Sequence, residues 1–281
     1  MTGAPPPLFD RALGAERQRR KRRPEPGILT RTIAEELAER LGFVNRRFEL
    51  ACLIAAEPEA IAGRLKDGGQ VKEVETRLPS SGDDLGLPQQ RYDALFSVLD
   101  LQGFNDVPGA LIQMRRALKP DGLLLACLFA GETLSELRQS WLAAESAVTG
   151  GASPRVAPMI DVREAGALLQ RAGLALPVAD LDRTIVRYGD AVALIHEIRE
   201  LGLSNTLIGR SRRFTRRDVM AAAVSHYQQH FADPDGRVRA TVEIAWLTGW
   251  APHESQQQPL KPGSAKARLA DALKVDEKKL P

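Results

Sequence analysis

The chain has 281 residues, 43% of them hydrophobic and 27% charged, with a formal net charge of +3. It is long enough for one large domain with a full core, and its composition is that of an ordinary globular protein. No apolar run approaches the ~20 residues of a membrane helix, no apolar signal-peptide core is present, and the two cysteines, Cys52 and Cys127, lie inside apolar runs. They are expected to be buried and reduced, as in a cytoplasmic protein, and lack the number and spacing of a zinc site.

Residues 1–26 are rich in proline and arginine and are expected to form a basic, mobile arm, at most locally helical. In "TRTIAEELAERLGF", Ile33, Leu37 and Leu41 recur every four residues, which predicts an amphipathic helix stopped by Gly42. "FELACLIA" is a buried strand, and Pro58 suits the first turn of a helix over Glu59 to Leu65. "GGQVKEVETRLP" is a short strand in which Val71 and Val74 are imperfectly spaced, and "SSGDDLGLPQQ" is a loop. "YDALFSVLDL" is a strong strand. The helix "DVPGALIQMRRALKPDG" ends in a turn at Lys119-Pro120-Asp121-Gly122, and "LLLACLFAG" is another buried strand.

"TLSELRQSWLAAESAV" predicts a helix capped by Thr133, with Glu136 three residues on. "GGASPRVAP" is a loop, and "DVREAGALLQRAGL" a helix capped by Asp161 and stopped by Gly173. "LPVADLDRTIVRY" reads as one or two strands. Two helices follow, "DAVALIHEIRELGL" and "TRRDVMAAAVSHYQQHF", then the turn "DPDG" and the long strand "VRATVEIAWLTGW". From Ala251 onward the tail is polar. The domain is therefore expected over 27–250 and the tail over 251–281. Strands alternating with helices indicate a largely parallel sheet, which the last long strand joins antiparallel.

The charge is clustered. "RQRRKRR" (Arg17 to Arg23) carries six positive charges in seven residues, and "RSRRFTRR" (Arg210 to Arg217) five in eight, around Phe214. Such clusters are either solvated faces or meeting points for phosphates or an acidic partner. The arginine-rich start also suggests an organelle transit peptide, but Asp10, Glu16 and Glu25 count against it. Of the four histidines, His226 and His230 share a helix face at zinc-compatible spacing, without an acid or a third ligand; no metal site is expected. His196 reads as a partly buried packing residue. His253 stands beside Trp250 and Glu254. It can serve as an acid–base group with Glu254, or as part of a structural latch.

"FDRALGAERQRRKRR", "YDALFSVLDLQGFNDVPGALIQMRRALKPDGLLLACLFAGETLSELR" and "GWAPHESQQQPLKPGSA" together resemble one family. It is the S-adenosylmethionine-dependent methyltransferase-like family of the complex I assembly factor described as an arginine hydroxylase, with its bacterial relatives; a wider group includes the biotin-pathway malonyl-carrier methyltransferase. The resemblance runs from Phe9 to about Ala265. It implies a class I methyltransferase-like, Rossmann-like αβα sandwich, and S-adenosylmethionine as the cofactor.

In that family the first strand ends in Asp-Leu-Gly-Cys-Gly-x-Gly, where glycines let the backbone pass under the methionine part of the cofactor. The equivalent stretch here is Leu53-Ile54-Ala55-Ala56-Glu57-Pro58-Glu59. Ala55, Glu57 and Glu59 replace the glycines, Leu53 replaces the acid, and Pro58 removes an N–H. The ribose-binding acid at the end of strand two has Glu75 as its nearest candidate, the alternative being an exposed acid between Lys72 and Arg77. About thirty residues separate Ala60 from Tyr92, so one strand–helix unit is expected to be missing. Where the family often shows His-Trp after the next strand, this chain has Gln102-Gly103.

The expectation is a methyltransferase-like protein with an eroded, degenerate site that binds S-adenosylmethionine weakly or not at all. It would act as an assembly or interaction factor for a protein partner, of the respiratory complex I type by resemblance. It is expected in the cytoplasm, or in the mitochondrial matrix if eukaryotic. An active methyltransferase and a basic nucleic-acid-associated protein are the alternatives.

Overall fold

A computed structural model describes residues 6–20 and 26–257. Six strands form one sheet in the order β2-β1-β3-β4-β6-β5. They are β1 (Phe48–Ile54), β2 (Val71–Arg77), β3 (Tyr92–Val98), β4 (Leu118–Phe129), β5 (Ala175–Tyr188) and β6 (Val238–Trp250). The first four are parallel neighbours, and β6 runs antiparallel to both β4 and β5. Residues 78–91 contain neither helix nor strand, so β2 connects to β3 without the strand–helix unit whose loss the spacing predicted.

The apolar runs explain the layering. Alternate residues of β1, β3 and β4 point to opposite faces, and both faces are covered. On one face Leu53, Phe96 and Leu125 pack beneath α2 (Ile28–Gly42) and α3 (Pro58–Asp67), which contribute Ile33, Leu37, Leu41, Ile61 and Leu65. On the other, Cys52, Leu95 and Leu124 pack beneath α4 (Val107–Ala117) and α6 (Val162–Arg171) through Leu111, Met114 and Leu169. Both thiols are buried, and burial raises them, Cys52 to about 11 and Cys127 to about 12. A third cluster joins α5 (Ser135–Thr149), α7 (Ala191–Glu200) and α8 (Arg217–Phe231) through Trp141, Leu194 and Tyr227.

Asp106, Asp161 and Asp190 cap α4, α6 and α7 by accepting from the N–H groups of Gly109, Arg163 and Ala193. Thr133 is not the cap expected for α5. It is buried, donates to the carbonyls of Ala130 and Glu243, and accepts from the Glu243 N–H. Glu136 accepts from the N–H and hydroxyl of Thr241, so both groups fasten α5 to β6. Lys119 to Gly122 form an irregularity inside β4 rather than a turn before it, with Asp121 at φ 61°. β5 is one continuous strand.

The N-terminal arm also differs from expectation. Arg11–Arg20 is a helix, α1, with Ala15 buried. Phe9 pairs with Leu207, and the Asp10 N–H donates to the Thr206 carbonyl at 2.8 Å. Low hydropathy hides this docking from a sequence pattern, because polar side chains and backbone make the contacts. Residues 21–25 and 258–281, with parts of the basic run and most of the expected tail, lie outside the described residues.

Candidate functional site

The C-terminal ends of parallel strands, where loops converge, are the usual location of a site in an open α/β sheet. The turn after β1 lies there. Ala55 is buried and its N–H donates to the Arg77 carbonyl at 3.1 Å. Glu57 is half-buried and accepts from the Thr30 hydroxyl of α2. Pro58 is buried as the first residue of α3, and Glu59 is exposed. Leu53 lies wholly in the core. The turn is thus packed against protein groups from β2 and α2.

Glu75, half-exposed, already has two protein partners. Tyr92 donates its hydroxyl to it at 2.8 Å, and Arg91 forms an ion pair with it. The Arg91 and Tyr92 hydrogen bonds hold its carboxyl below the usual range.

His253 and Glu254 lie at the opposite end of the sheet. β6 is antiparallel, so its last residue, Trp250, pairs with Leu123 and Ala175 at the starts of β4 and β5. Both residues are exposed. His253 Nδ1 lies 2.7 Å from the Ser255 hydroxyl, and the His253 N–H donates to Gln256. Gln256 in turn donates to Asp121 and the Ala251 carbonyl. Burial opposes the charge of Asp121, but Gln256 and Arg46 outweigh it and hold its carboxyl low. This arrangement is a turn fastened to β4, and the structure does not bring His253 or Glu254 to the β1 turn. His196 is exposed rather than part of the packing, and His226 and His230 stack on one another 4.0 Å apart.

At the same end of the sheet, after β3 and β4, lies a cavity of about 370 Å³. Leu99 and Asp100 after β3 and Phe129 of β4 form its base, and α1, α2, β5 and α7 contribute its walls. Its size is that of a small-molecule or side-chain pocket. Asp100 is paired with Arg11 of α1 at 3.1 Å, the two side chains being 4% and 7% exposed. Burial nonetheless outweighs Arg11 and pushes the Asp100 carboxyl up. Arg11 also stacks 3.4 Å from the Phe104 ring centre and donates to Ser80.

Four further acids, Asp10, Glu36, Asp182 and Glu197, line the cavity. Asp182 and Asp180 hold Arg40 at 2.6 and 2.8 Å, and Arg40 lies over the Trp246 ring. Glu36 has its carboxyl raised, first by burial and then by Asp182. The Trp246 indole favours its charge, yet neither that N–H nor Glu36 Oε2 makes a hydrogen bond of normal geometry. Gln102 donates to the Leu99 carbonyl at 2.6 Å, while its Oε1 is buried without a partner. Glu36 thus has the indole N–H as its facing donor, whereas Gln102 Oε1 is a buried acceptor with no partner, an arrangement that is rare because it costs about 1–3 kcal/mol per group.

No pattern in the chain marks Glu36, Asp182 and Glu197 as neighbours. The only legible sign was Gln102, which stands where the resembling family often has a histidine. Among the described residues, no group of three or more His, Cys, Asp or Glu side chains is placed to hold a metal ion, and no helix is long and apolar enough to cross a membrane.

A family described as a methyltransferase domain matches residues 27–126. The mitochondrial arginine-hydroxylase NDUFAF5 of Danio rerio is 32% identical over 265 residues, 88% of this chain and 82% of the relative. That of Homo sapiens is 32% identical over 291 residues, covering 96% and 84% of the two chains. The malonyl-[acyl-carrier protein] O-methyltransferase of Xylella fastidiosa (strain M23) is 34% identical over 173 residues, 61% of this chain and 56% of that one. Among solved structures, the YcgJ protein of Bacillus subtilis covers 79% of this chain and 99% of its own, at 12% identity and a TM-score of 0.47.

Proposed function

The chain belongs to the family of the mitochondrial arginine-hydroxylase NDUFAF5, and from that premise we propose that it is an interaction factor on a methyltransferase scaffold, binding a protein partner and receiving an arginine side chain in its cavity. The carrying observation is the acidic lining of the cavity, Glu36, Asp182 and Glu197, with the unpartnered acceptor Gln102 Oε1 in the same lining. A guanidinium offers five N–H donors and no acceptor, and is less strongly hydrated than an ammonium. The partner is of the respiratory complex I type, as the resemblance implies, and the chain works in the cytoplasm, or in the mitochondrial matrix if eukaryotic.

S-adenosylmethionine has a reduced role in this reading. A methionine end needs close backbone approach and free N–H donors. The turn after β1 instead has side chains at Ala55 and Glu57, no N–H at Pro58, and the Ala55 N–H already donating to Arg77. Glu75, the candidate for the ribose hydroxyls, is engaged by Arg91 and Tyr92. These residues do not fit the cofactor.

Calorimetry separates the readings. The full chain is titrated with N-acetyl-arginine amide, N-acetyl-citrulline amide, S-adenosylmethionine and S-adenosylhomocysteine. Heat with the arginine compound, and none at low micromolar concentration with the others, is expected. Equal binding of the uncharged citrulline compound overturns the arginine site. The methyltransferase match across 27–126, which spans the β1 turn, favours a second reading, an active methyltransferase. Low-micromolar binding of S-adenosylmethionine by the unmodified chain rejects the eroded-site reading and favours that one. The triple variant Ala55→Gly, Glu57→Gly, Glu59→Gly is expected not to gain strong binding, because the strand–helix unit after β2 is also missing.

A further inference from the structure

The two arginine clusters that are far apart in the chain meet in the fold. Arg17 of α1 donates to the carbonyls of Ser204 and Asn205 at 3.0 and 2.6 Å, and Arg210 reaches Asp10 at 3.5 Å. The Ile208 N–H donates to the Leu8 carbonyl at 2.9 Å. Gly202 allows the approach: a Cβ there would lie 2.8 Å from the Gln18 Cα. Arg17 and Arg210 are therefore anchors, and each lowers the freedom of the other cluster to move away. Around them Arg19, Arg20, Arg212, Arg213, Arg216 and Arg217 are exposed. Phe214, between them, is fully exposed at 102%.

This surface adjoins the cavity. Asp10, Gln18 and Asn205 belong to the cavity lining as well as to the joint between the clusters. Arg155, also in the lining, donates to Thr215 at 2.9 Å and so ties the Phe214 segment to the cavity wall. The cavity lining carries five acids, Asp10, Glu36, Asp100, Asp182 and Glu197, against two arginines, Arg11 and Arg155, whereas the surface outside it is dominated by exposed arginines. A phosphate backbone would be drawn to the arginines and repelled by the acids. A lipid surface would meet the arginines and leave the concavity unfilled. Stacking on single-stranded nucleic acid needs successive aromatics, and this segment has Phe214 alone. A protein segment carrying one cation among acids satisfies both zones, with an aromatic and arginines supplying the residue types that anchor protein interfaces.

We propose that Arg19, Arg20, Arg212, Arg213 and Arg217, with Phe214 as apolar anchor, form the docking surface for an acidic protein segment that presents an arginine to the cavity. This rests on the reading that the cavity receives an arginine side chain. Electrostatic complementarity of this kind raises the association rate and suppresses wrong partners.

Fluorescence anisotropy on the full chain tests it with three labelled peptides, in which one arginine is flanked by glycines, by glutamates or by lysines. The glutamate-flanked peptide is expected to bind at least tenfold more tightly than the glycine-flanked one, and the advantage to shrink between 50 and 200 mM salt. The variant Arg212→Glu/Arg213→Glu/Phe214→Ala removes the advantage of the glutamate-flanked peptide. The milder Arg212→Ala/Arg213→Ala variant, checked for an unaltered melting curve, reduces it. Equal binding of glycine- and glutamate-flanked peptides overturns the docking surface and leaves the arginine cavity standing. No binding of either overturns both. Tighter binding of a 20-nucleotide single-stranded RNA, or of phosphatidylglycerol-containing vesicles, assigns the surface to phosphate and overturns the proposal.

Discussion

Replacing Arg11 by alanine is expected to destabilise the protein far more than the loss of one arginine from a basic segment would. Arg11 and Asp100 are 7% and 4% exposed and 3.1 Å apart, so the substitution leaves Asp100 buried without its cation. Breaking a buried pair in this way costs about 3–5 kcal/mol, out of a total stability of about 5–15 kcal/mol. Loss of the stack on Phe104 falls within the same perturbation. Taking about 4 kcal/mol and a urea slope of about 2 kcal/mol/M, the midpoint falls by roughly 2 M. The double variant Arg11→Met/Asp100→Asn removes both charges and is expected to recover most of the loss, which a double-mutant cycle reads as coupling. The deficit of Arg11→Ala also depends on pH. Without Arg11 the folded-state Asp100 carboxyl is raised further above its unfolded value. Its stability contribution is then fully present below that unfolded value, about 3.9, and is lost as pH rises through the folded one. The deficit is therefore largest at neutral pH and shrinks in acid. A loss under about 1 kcal/mol at pH 7, with no coupling, would show that α1 is a solvated arm and refute the reasoning.

Gly202→Ala places a Cβ against the Gln18 backbone at a residue with φ +72°; a cost of at least about 1–2 kcal/mol and faster proteolytic cleavage within α1 are expected. Glu145, 7% exposed at its side chain, accepts from Ser153 and Arg155. Burial opposes its charge, but those donors hold its carboxyl low. Glu145→Gln should cost about 1.5–3 kcal/mol at pH 7. That difference should fade as pH falls through the folded-state value, where the wild-type carboxylate is protonated too; a pH-independent difference in chemical unfolding would contradict this. Glu36→Gln removes a carboxylate that burial disfavours, so it should raise the melting temperature at neutral pH while weakening arginine-amide binding about tenfold or more. A lowered melting temperature would show that the charge supports Arg40 and Trp246 instead. Charge reversal at Arg212 and Arg213 should move stability by no more than about ±0.5 kcal/mol, which a thermal melt checks.

What the sequence could tell was set by where the physics is local. Uninterrupted apolar runs such as Phe48–Ile54 and Leu123–Phe129 announce strands buried on both faces, and the short distance from Ala60 to Tyr92 announced the missing unit. Capping by Asp161 was equally legible, because the cap and its N–H donor, Arg163, are neighbours in the chain. Thr133 misled for the opposite reason: it has a capping residue's chemistry, but its hydrogen bonds go to β6, more than a hundred residues away. The placement of His253 and Glu254 depended on strand direction, since an antiparallel last strand delivers them to the far end of the sheet. Glu75 read as an exposed acid on an edge strand or a ribose ligand, and its true partners, Arg91 and Tyr92, come from across the missing unit. Glu36 and Asp182 meet in the cavity only because β5 runs alongside β6 beneath α2, a relation no local pattern carries.

The absent unit after β2 leaves that strand as an outer edge of the sheet, where a neighbour would otherwise complete its hydrogen bonds. An unprotected edge is a template for self-association into insoluble material. β2 reads Val-Lys-Glu-Val-Glu-Thr-Arg, with Lys72 and Glu73 exposed and Glu75 and Arg77 held in polar contacts. Another strand laid beside it would have to desolvate these charges. The imperfect valine spacing that made β2 hard to recognise is thus also what makes this open edge a poor template for a second chain.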